Sequence, residues 1–466
     1  MLQSLRNAFN LPDLRRRILF TVGILLLYRL LANIPVPGAN PTALSSFAQQ
    51  SSNNALLNTL NLLSGGAVRN FSVMAMGVYP YITASIIIQL LTPIIPYLDE
   101  LSQEGESGRN RINKITYYMS VPLALVQAVG QINLIGFSYN GDLSTIMPYW
   151  GFSSAANVLP TLMTLAAMTA GTMFAIWLGE RITEEGIGQG VSLIIFSGIV
   201  AGIPQGLLQI ASGFDRFGNP VTTTNQILAV IIFLILVVSL TYIIVMIQEG
   251  HRRVPVQYGR RMRGRKVYQG QSTHIPLKVN TAGMIPIIFA QSLLAFPGLL
   301  AQLLLPEVGA DPRWYHGIAE TINTTFGQQQ GFLYWGVYFL FVFAFTFFYT
   351  DVMVGQQRLH ENLQRQGGFI PGIRPGKRTE VYIKSVIRRI TLIGATFLSL
   401  VAVVPGFMQR LVWLLGLDFI GINATGLDLS AFVLDGSGLI IVVGVVIDLI
   451  RQLEAQLVMR NYEGFV

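Results

Sequence analysis

The chain contains no cysteine, which excludes a disulfide framework, thiolate metal sites, iron–sulfur ligation and thiol catalysis. Charge is scarce as well. Asp, Glu, Lys and Arg make up 12% of the 466 residues, about half of the roughly 25% typical of a soluble domain. Hydrophobic residues reach 52%, and the mean hydropathy is +0.53. A length that could hold about three soluble domains therefore reads as a polytopic membrane protein of helices, because the uncharged runs lack the alternation of a membrane barrel. No HExxH metal motif and no complete P-loop occur, and the nearest approach, Gly376-Lys377, lacks the first glycine and the Ser or Thr. The four histidines, His251, His274, His316 and His360, lie far apart in loops, and Glu180, Glu184 and Glu185 read as a solvated turn. Ion-coupled carriers place acids deep within their spans. Here Glu249 and Asp351 sit at span ends, and Asp448 is the one exception. These absences argue against an enzyme and against a proton-driven carrier, and predict no catalytic residue, metal ligand or cofactor.

A spanning helix needs about 20 mostly apolar residues. Charge-free stretches predict ten: roughly 18–34, 74–97, 115–136, 157–178, 188–208, 226–248, 281–303, 332–350, 387–407 and 436–451. Arg29 interrupts the first and Asp448 the last, both near a span end, where snorkelling to the headgroups is cheap. No small-residue cleavage site follows Arg15, Arg16 and Arg17, so the first apolar segment is expected to be a retained span. With a cytoplasmic N-terminus, only Arg69, Arg216, Arg313 and Arg410 of the 31 Lys and Arg fall outside, with Arg29 inside a span. That asymmetry predicts that both termini are cytoplasmic.

Segment 56–73 is apolar and helix-like but too short to span, and Gly65-Gly66 breaks it. It reads either as an interfacial amphipathic helix or as a half-helix re-entering toward the bilayer centre, permitted only where protein or a cavity satisfies its backbone. Two large cytoplasmic loops, 249–278 and 351–386, are strongly basic. Topology and lipid attraction explain their charge but not the second loop's turn chemistry. Its run Gly367-Gly368-Phe369-Ile370-Pro371-Gly372-Ile373-Arg374-Pro375-Gly376 displays one arginine between two Pro-Gly turns, which suits docking to an acidic surface. Ten spans divide into five and five at an external loop near 209–225, and an odd number per half permits an inverted repeat. Ile82 and Ile86, and Val191 and Ile195 after the Gly186–Gly190 turn, stand four apart on single helix faces. Periodicity cannot tell a pore from a core.

The run Gly77-Val78-Tyr79-Pro80-Tyr81-Ile82-Thr83-Ala84-Ser85-Ile86-Ile87-Ile88-Gln89-Leu90-Leu91, followed by Glu104-Gly105-Glu106-Ser107-Gly108-Arg109, closely resembles the SecY family, the channel subunits of the bacterial protein-conducting translocon. So do Gly186–Gly190, the run from Gln271 to Asn280, and Pro371-Gly372-Ile373-Arg374-Pro375-Gly376. The likeness extends from the first span to the last.

The resemblance implies an all-α membrane fold of ten helices in two inverted five-helix halves around an hourglass pore, with a re-entrant plug half-helix near 58–72. The N-terminal half would be 1–208, the external hinge loop 209–225, the C-terminal half 226–451 and the cytoplasmic tail 452–466. It implies a pore ring of Ile82, Ile86, Val191, Ile195, Ile288 and Ile441, and a plug containing Leu62, Leu63, Ser64, Gly65, Gly66, Ala67 and Val68. A lateral gate would involve Gln89, Thr92 and Asn280, since modest interhelical hydrogen bonds break easily. Arg252, Arg253, Arg260, Arg261, Arg265, Lys266, Pro371, Gly372, Arg374 and Pro375 would dock the ribosome or a SecA-type translocation ATPase. Further expected partners are SecE-like and SecG-like small membrane subunits, unfolded precursors with their signal sequences, and membrane lipid. The implied function is passage of unfolded secretory polypeptides across the bacterial plasma membrane, with sideways release of hydrophobic segments into lipid. The alternatives are a small-solute secondary transporter and a non-conducting ribosome-docking scaffold.

Overall fold

The computed structural model describes residues 11–40, 43, 55–138, 143–152, 154–211, 223–258, 261–263, 266–268, 272–304, 316–327, 331–357, 363–365, 367–374, 376–414 and 436–463. Helix α1 (Pro12–Leu31) opens on a proline in its first turn, where the missing N–H has no intrahelical partner to lose. The short α2 (Ala55–Leu63) follows. The span expected over 74–97 is corrected. Residues up to Val78 form turns, with Gly77 left-handed at φ 50°, and α3 occupies only Tyr79–Leu91. The chain then bends by 99° into α4 (Pro96–Gln103). Pro93 and Pro96 account for the break, since each removes a backbone donor and restricts the residue before it.

The chain continues through α5 (Glu106–Ser138), α6 (Leu143–Ile146), α7 (Ala155–Glu185), α8 (Gly190–Ala211) and α9 (Thr223–Glu249). Four strands follow: β1 (His251–Tyr258), β2 (Arg261–Arg263), β3 (Lys266–Tyr268) and β4 (Ser272–Lys278). Then come α10 (Ile285–Leu304), α11 (His316–Ile322), which runs into a π-helical turn at Asn323–Gly327, and α12 (Phe332–Gln357). Strand β5 (Gly368–Phe369), α13 (Lys377–Leu414) and α14 (Gly436–Glu463) complete the order. Each stretch read as a span carries a helix. On length and apolarity alone, four helices among the described residues could cross a bilayer, or five if the bent α3–α4 pair counts as one. Arg15, Arg16, Arg17 and Arg29 make α1 too charged for that test.

Helix α10 packs on α2, α3, α5 and α12, and α14 packs on α8, α9 and α13. The short α2 contacts both α8 and α10. A single apolar cluster runs from Ile24 and Tyr28 in α1 to Ile447 in α14.

The all-α expectation omits the strands. β1 lies between β4 and β5 in an antiparallel sheet, with His251 opposite Lys278, Gln257 opposite Ser272 and Tyr258 opposite Gly368. Alternation along β1 buries Val254 and Val256 against Leu277, Leu363, Ile370, Ile383 and Ile387, the period-two pattern of a half-buried strand. The two basic loops therefore meet in one three-stranded sheet, while β2 and β3 pair apart from it as a two-stranded hairpin.

Candidate functional site

Five of the six expected ring residues are buried, Ile82, Ile86, Ile195, Ile288 and Ile441, each at 5% exposure or less. Val191 is partly buried against the same apolar cluster that holds the other five. They come from α3, α8, α10 and α14, so two residues of the first pair and two of the second share a cluster with single residues from distant helices.

The segment read as plug is α2 and the turns after it. Leu62 and Leu63 end α2, and Leu63, Ser64, Ala67 and Val68 are buried. Gly65 and Gly66 adopt φ of 67° and 91°, a left-handed geometry that glycine reaches without steric cost. A Cβ at Gly65 would stand 2.9 Å from Cε1 of Tyr28 and 3.0 Å from the Ile194 carbonyl oxygen. The turn is tied to α1: the Tyr28 hydroxyl donates to the Ser64 carbonyl, and Ser72 Oγ donates to the Leu31 carbonyl at 3.1 Å. Backbone bonds from Val36 to Phe71 (3.0 Å) and from Val73 to Ile34 (3.0 Å) continue the attachment.

Arg29 departs from the snorkelling expectation. Its guanidinium turns inward and donates to the carbonyls of Gly65 at 2.8 Å, Ser197 at 3.3 Å and Gly198 at 3.4 Å. A partly buried guanidinium takes backbone carbonyls when the protein supplies them.

The three expected gate residues form local rather than interhelical hydrogen bonds. Gln89 Nε2 donates to Ser85 Oγ at 3.1 Å, one turn back, and Thr92 Oγ1 donates to the Ile88 carbonyl at 2.8 Å. Asn280 donates to the Gly283 carbonyl and accepts from the Gly283 N–H, both at 3.0 Å. The reason is reach: a polar side chain finds a backbone or hydroxyl partner three or four residues away before it finds another helix. A bond joining α3 to α10 comes from Tyr79, whose hydroxyl donates to the Ser292 carbonyl at 3.0 Å. Beside it, Gln127 Nε2 of α5 donates to Thr83 Oγ1 of α3 at 3.3 Å. Sequence reasoning missed Tyr79, although it lies inside the quoted Gly77–Leu91 run.

On the sheet platform, Arg252 and Arg253 are exposed. Arg261 and Lys266 belong to the β2–β3 hairpin, where Arg261 pairs with Tyr268 and Arg263 with Lys266. Pro371, Gly372 and Arg374 are exposed just beyond β5, with Gly372 left-handed at φ 83°. The Arg374 loop is anchored on both sides, by buried Ile370 in the sheet core and by Thr379 Oγ1 donating to the Arg374 carbonyl at 3.0 Å. Arg260, Arg265 and Pro375 lie outside the described residues.

A cleft of about 220 Å³ adjoins the end of β4, and its lining includes Gln189, Gln248, Lys278, Asn280, Asp448 and Arg451. Arg451 pairs with Glu249 at 2.8 Å and so ties α14 to α9. Desolvation and the Arg451 charge hold the Lys278 ammonium below its usual range, against the opposing pull of Asp448 and Glu249. Among the described residues, no group of three or more His, Asp or Glu side chains is placed to hold a metal ion.

A family model described as SecY matches residues 72–450. The chain is also similar to the protein translocase subunit SecY of Halalkalibacterium halodurans, with 39% identity over 468 residues that cover all of both chains. The chain belongs to the SecY family. The SecY model's match begins at residue 72, so it takes in every ring and gate position but not the turn at 62–68. Among solved structures, the fold is similar to one titled the structure of a protein conducting channel, at TM-score 0.61 and 20% identity, covering 94% of this chain and 91% of that one. It is also similar to Sec61 in the canine ribosome-channel complex from the endoplasmic reticulum, at TM-score 0.59, 20% identity and the same coverage. Both likenesses concern the fold.

Proposed function

We propose that this chain is the channel subunit of a protein-conducting complex in the bacterial plasma membrane. It passes unfolded secretory polypeptides outward and releases hydrophobic segments sideways into lipid. Ten spans form two inverted halves, 1–208 and 226–451, joined by the external loop 209–225, with both termini and the tail 452–466 cytoplasmic. The reading is supported by membership of the SecY family, by the burial of five of the six aliphatic side chains within the large apolar core that Val191 also packs against, and by the contacts of α2 with both α8 and α10. A conduit for every side-chain type cannot rely on particular hydrogen bonds. An aliphatic ring excludes water when closed and parts around a peptide without holding it.

In this reading residues 58–72 are the plug, and Ile82, Ile86, Val191, Ile195, Ile288 and Ile441 are the constriction. The gate opens between α3 with α5 and α10 with α12, with Gln89, Thr92 and Asn280 as gate residues and the Tyr79–Ser292 bond joining α3 to α10. The chain acts on no substrate bond and is not an enzyme. The driving force comes from a ribosome or a SecA-type ATPase docked on the sheet platform, where Arg374 projects from a braced loop and the arginines of β1 and β2 meet acidic or phosphate groups. SecE-like and SecG-like subunits complete the assembly.

Deleting residues 60–70 tests the reading. In planar bilayers, a channel that has lost its plug becomes leaky to ions. A carrier would lose solute uptake instead, and a docking scaffold would change in neither respect. An ion-tight deletion variant that still assembles would refute the plugged channel.

A further inference from the structure

Arg29 lies two residues before the end of α1, and its guanidinium joins three segments. The shortest contact is to Gly65 on the plug turn (2.8 Å), and the others are to Ser197 and Gly198 on α8, just beyond the ring residue Ile195. Local backbone chemistry makes the junction. Gly65 and Gly66 are left-handed, which shapes the turn that presents the Gly65 carbonyl to α1. A Cβ on Gly198 would overlap the Cα of Gly65, so the turn reaches α8 only because that position is glycine. A Cβ on Gly66 would meet Nη1 of Arg29 at 2.7 Å, so the guanidinium fills the space beside the turn. Asn33 Nδ2 donates to the Arg29 carbonyl, and Asn70 Nδ2 donates to Asn33 Oδ1, both at 2.8 Å. The end of α1 therefore grips the turn from both sides.

We propose that Arg29 is a positioning residue that latches the plug turn to α1 and α8, so that the plug leaves its seat only when the guanidinium gives up the Gly65 carbonyl. The proposal rests on the reading of 58–72 as plug. Hydrogen bonds to a charged group are stronger than those between neutral ones, and a guanidinium drawn out of bulk water needs partners in place of those it has lost. Plug departure and entry of water beside α1 are thereby coupled: closed, the charge is satisfied by three carbonyls, and open, it takes water in place of the first.

The test reconstitutes the complete complex in planar bilayers and compares resting conductance per channel for wild type, Arg29→Met, Arg29→Lys, the 60–70 deletion and the deletion combined with Arg29→Met. Loss of a charge-assisted bond predicts about a tenfold rise for Arg29→Met, a smaller rise for Arg29→Lys, and no increment when Arg29→Met is added to the deletion. Retained precursor translocation reports that a variant is folded. If Arg29→Met does not assemble, Arg29→Gln, neutral but still a donor, carries the same comparison. An ion-tight Arg29→Met beside a leaky deletion would overturn the latch alone. An added leak in the combined variant would also overturn it, by showing that Arg29 supports the wall and not the plug. An ion-tight deletion would overturn the plug reading and the latch with it.

Discussion

At the scale of single residues, glycines set how closely the turn proposed as plug sits against its neighbours. Gly198 has no room for a side chain, because any Cβ would overlap the backbone of Gly65. Gly198→Ala is expected to push the turn off α8 and raise resting conductance, with overpacking worth about 1–3 kcal/mol. Single-channel recording checks this, and an ion-tight variant would mean that α8 shifts in place of the plug. At the proposed constriction, Ile86 is 1% exposed, and dewetting there depends on its being apolar. Ile86→Ser is expected to raise water and ion entry while leaving assembly intact, measured as conductance against complex yield. The Arg29 bonds were not legible in the sequence. A charge near a span end reads as snorkelling, and only the return of a distant turn supplies the carbonyls it takes.

At the scale of elements, helices were legible and strands were not. Long uncharged runs mark the helices directly, and prolines mark where they yield. Even so, the 99° bend after Leu91 was hidden by the apolar continuity of 74–97. The sheet was obscured for a different reason. β1 alternates in a recoverable way, with Val254, Val256 and Tyr258 at every second position, but the surrounding arginines made the segment read as a charged loop. β5 has two residues and pairs far along the chain, which no local pattern reveals. The sheet core makes a clear prediction. Val256 is fully buried, and Val256→Ala is expected to cost about 1–3 kcal/mol through lost burial and a small cavity. Limited proteolysis of the 259–271 region should then proceed faster in the variant, with resting conductance unchanged. Arg374→Ala, by contrast, removes an exposed side chain. It is expected to leave proteolysis unchanged while lowering ATPase-driven precursor translocation several-fold, and equal translocation would mean that Arg374 is not part of the docking surface.

At the scale of the whole molecule, the described parts separate what must stay shut from what must be reached. In the proposed channel, aliphatic side chains and α2 close the middle, the Tyr79–Ser292 bond joins α3 to α10 across the exit, and a basic sheet lies beside a polar cleft. The ring and plug positions came from family resemblance, because burial of an isoleucine is equally consistent with core packing. The absence of cysteine provides the decisive measurement. A single cysteine placed at Ile86, Ile195 or Ile288, and one in the middle of a precursor stalled during export, can be oxidised with no competing thiol in this chain. The account predicts a crosslinked adduct at these positions that depends on the docked ATPase or ribosome. No adduct at any of the three, with a precursor shown to be stalled, would make the ring ordinary core packing and contradict the channel.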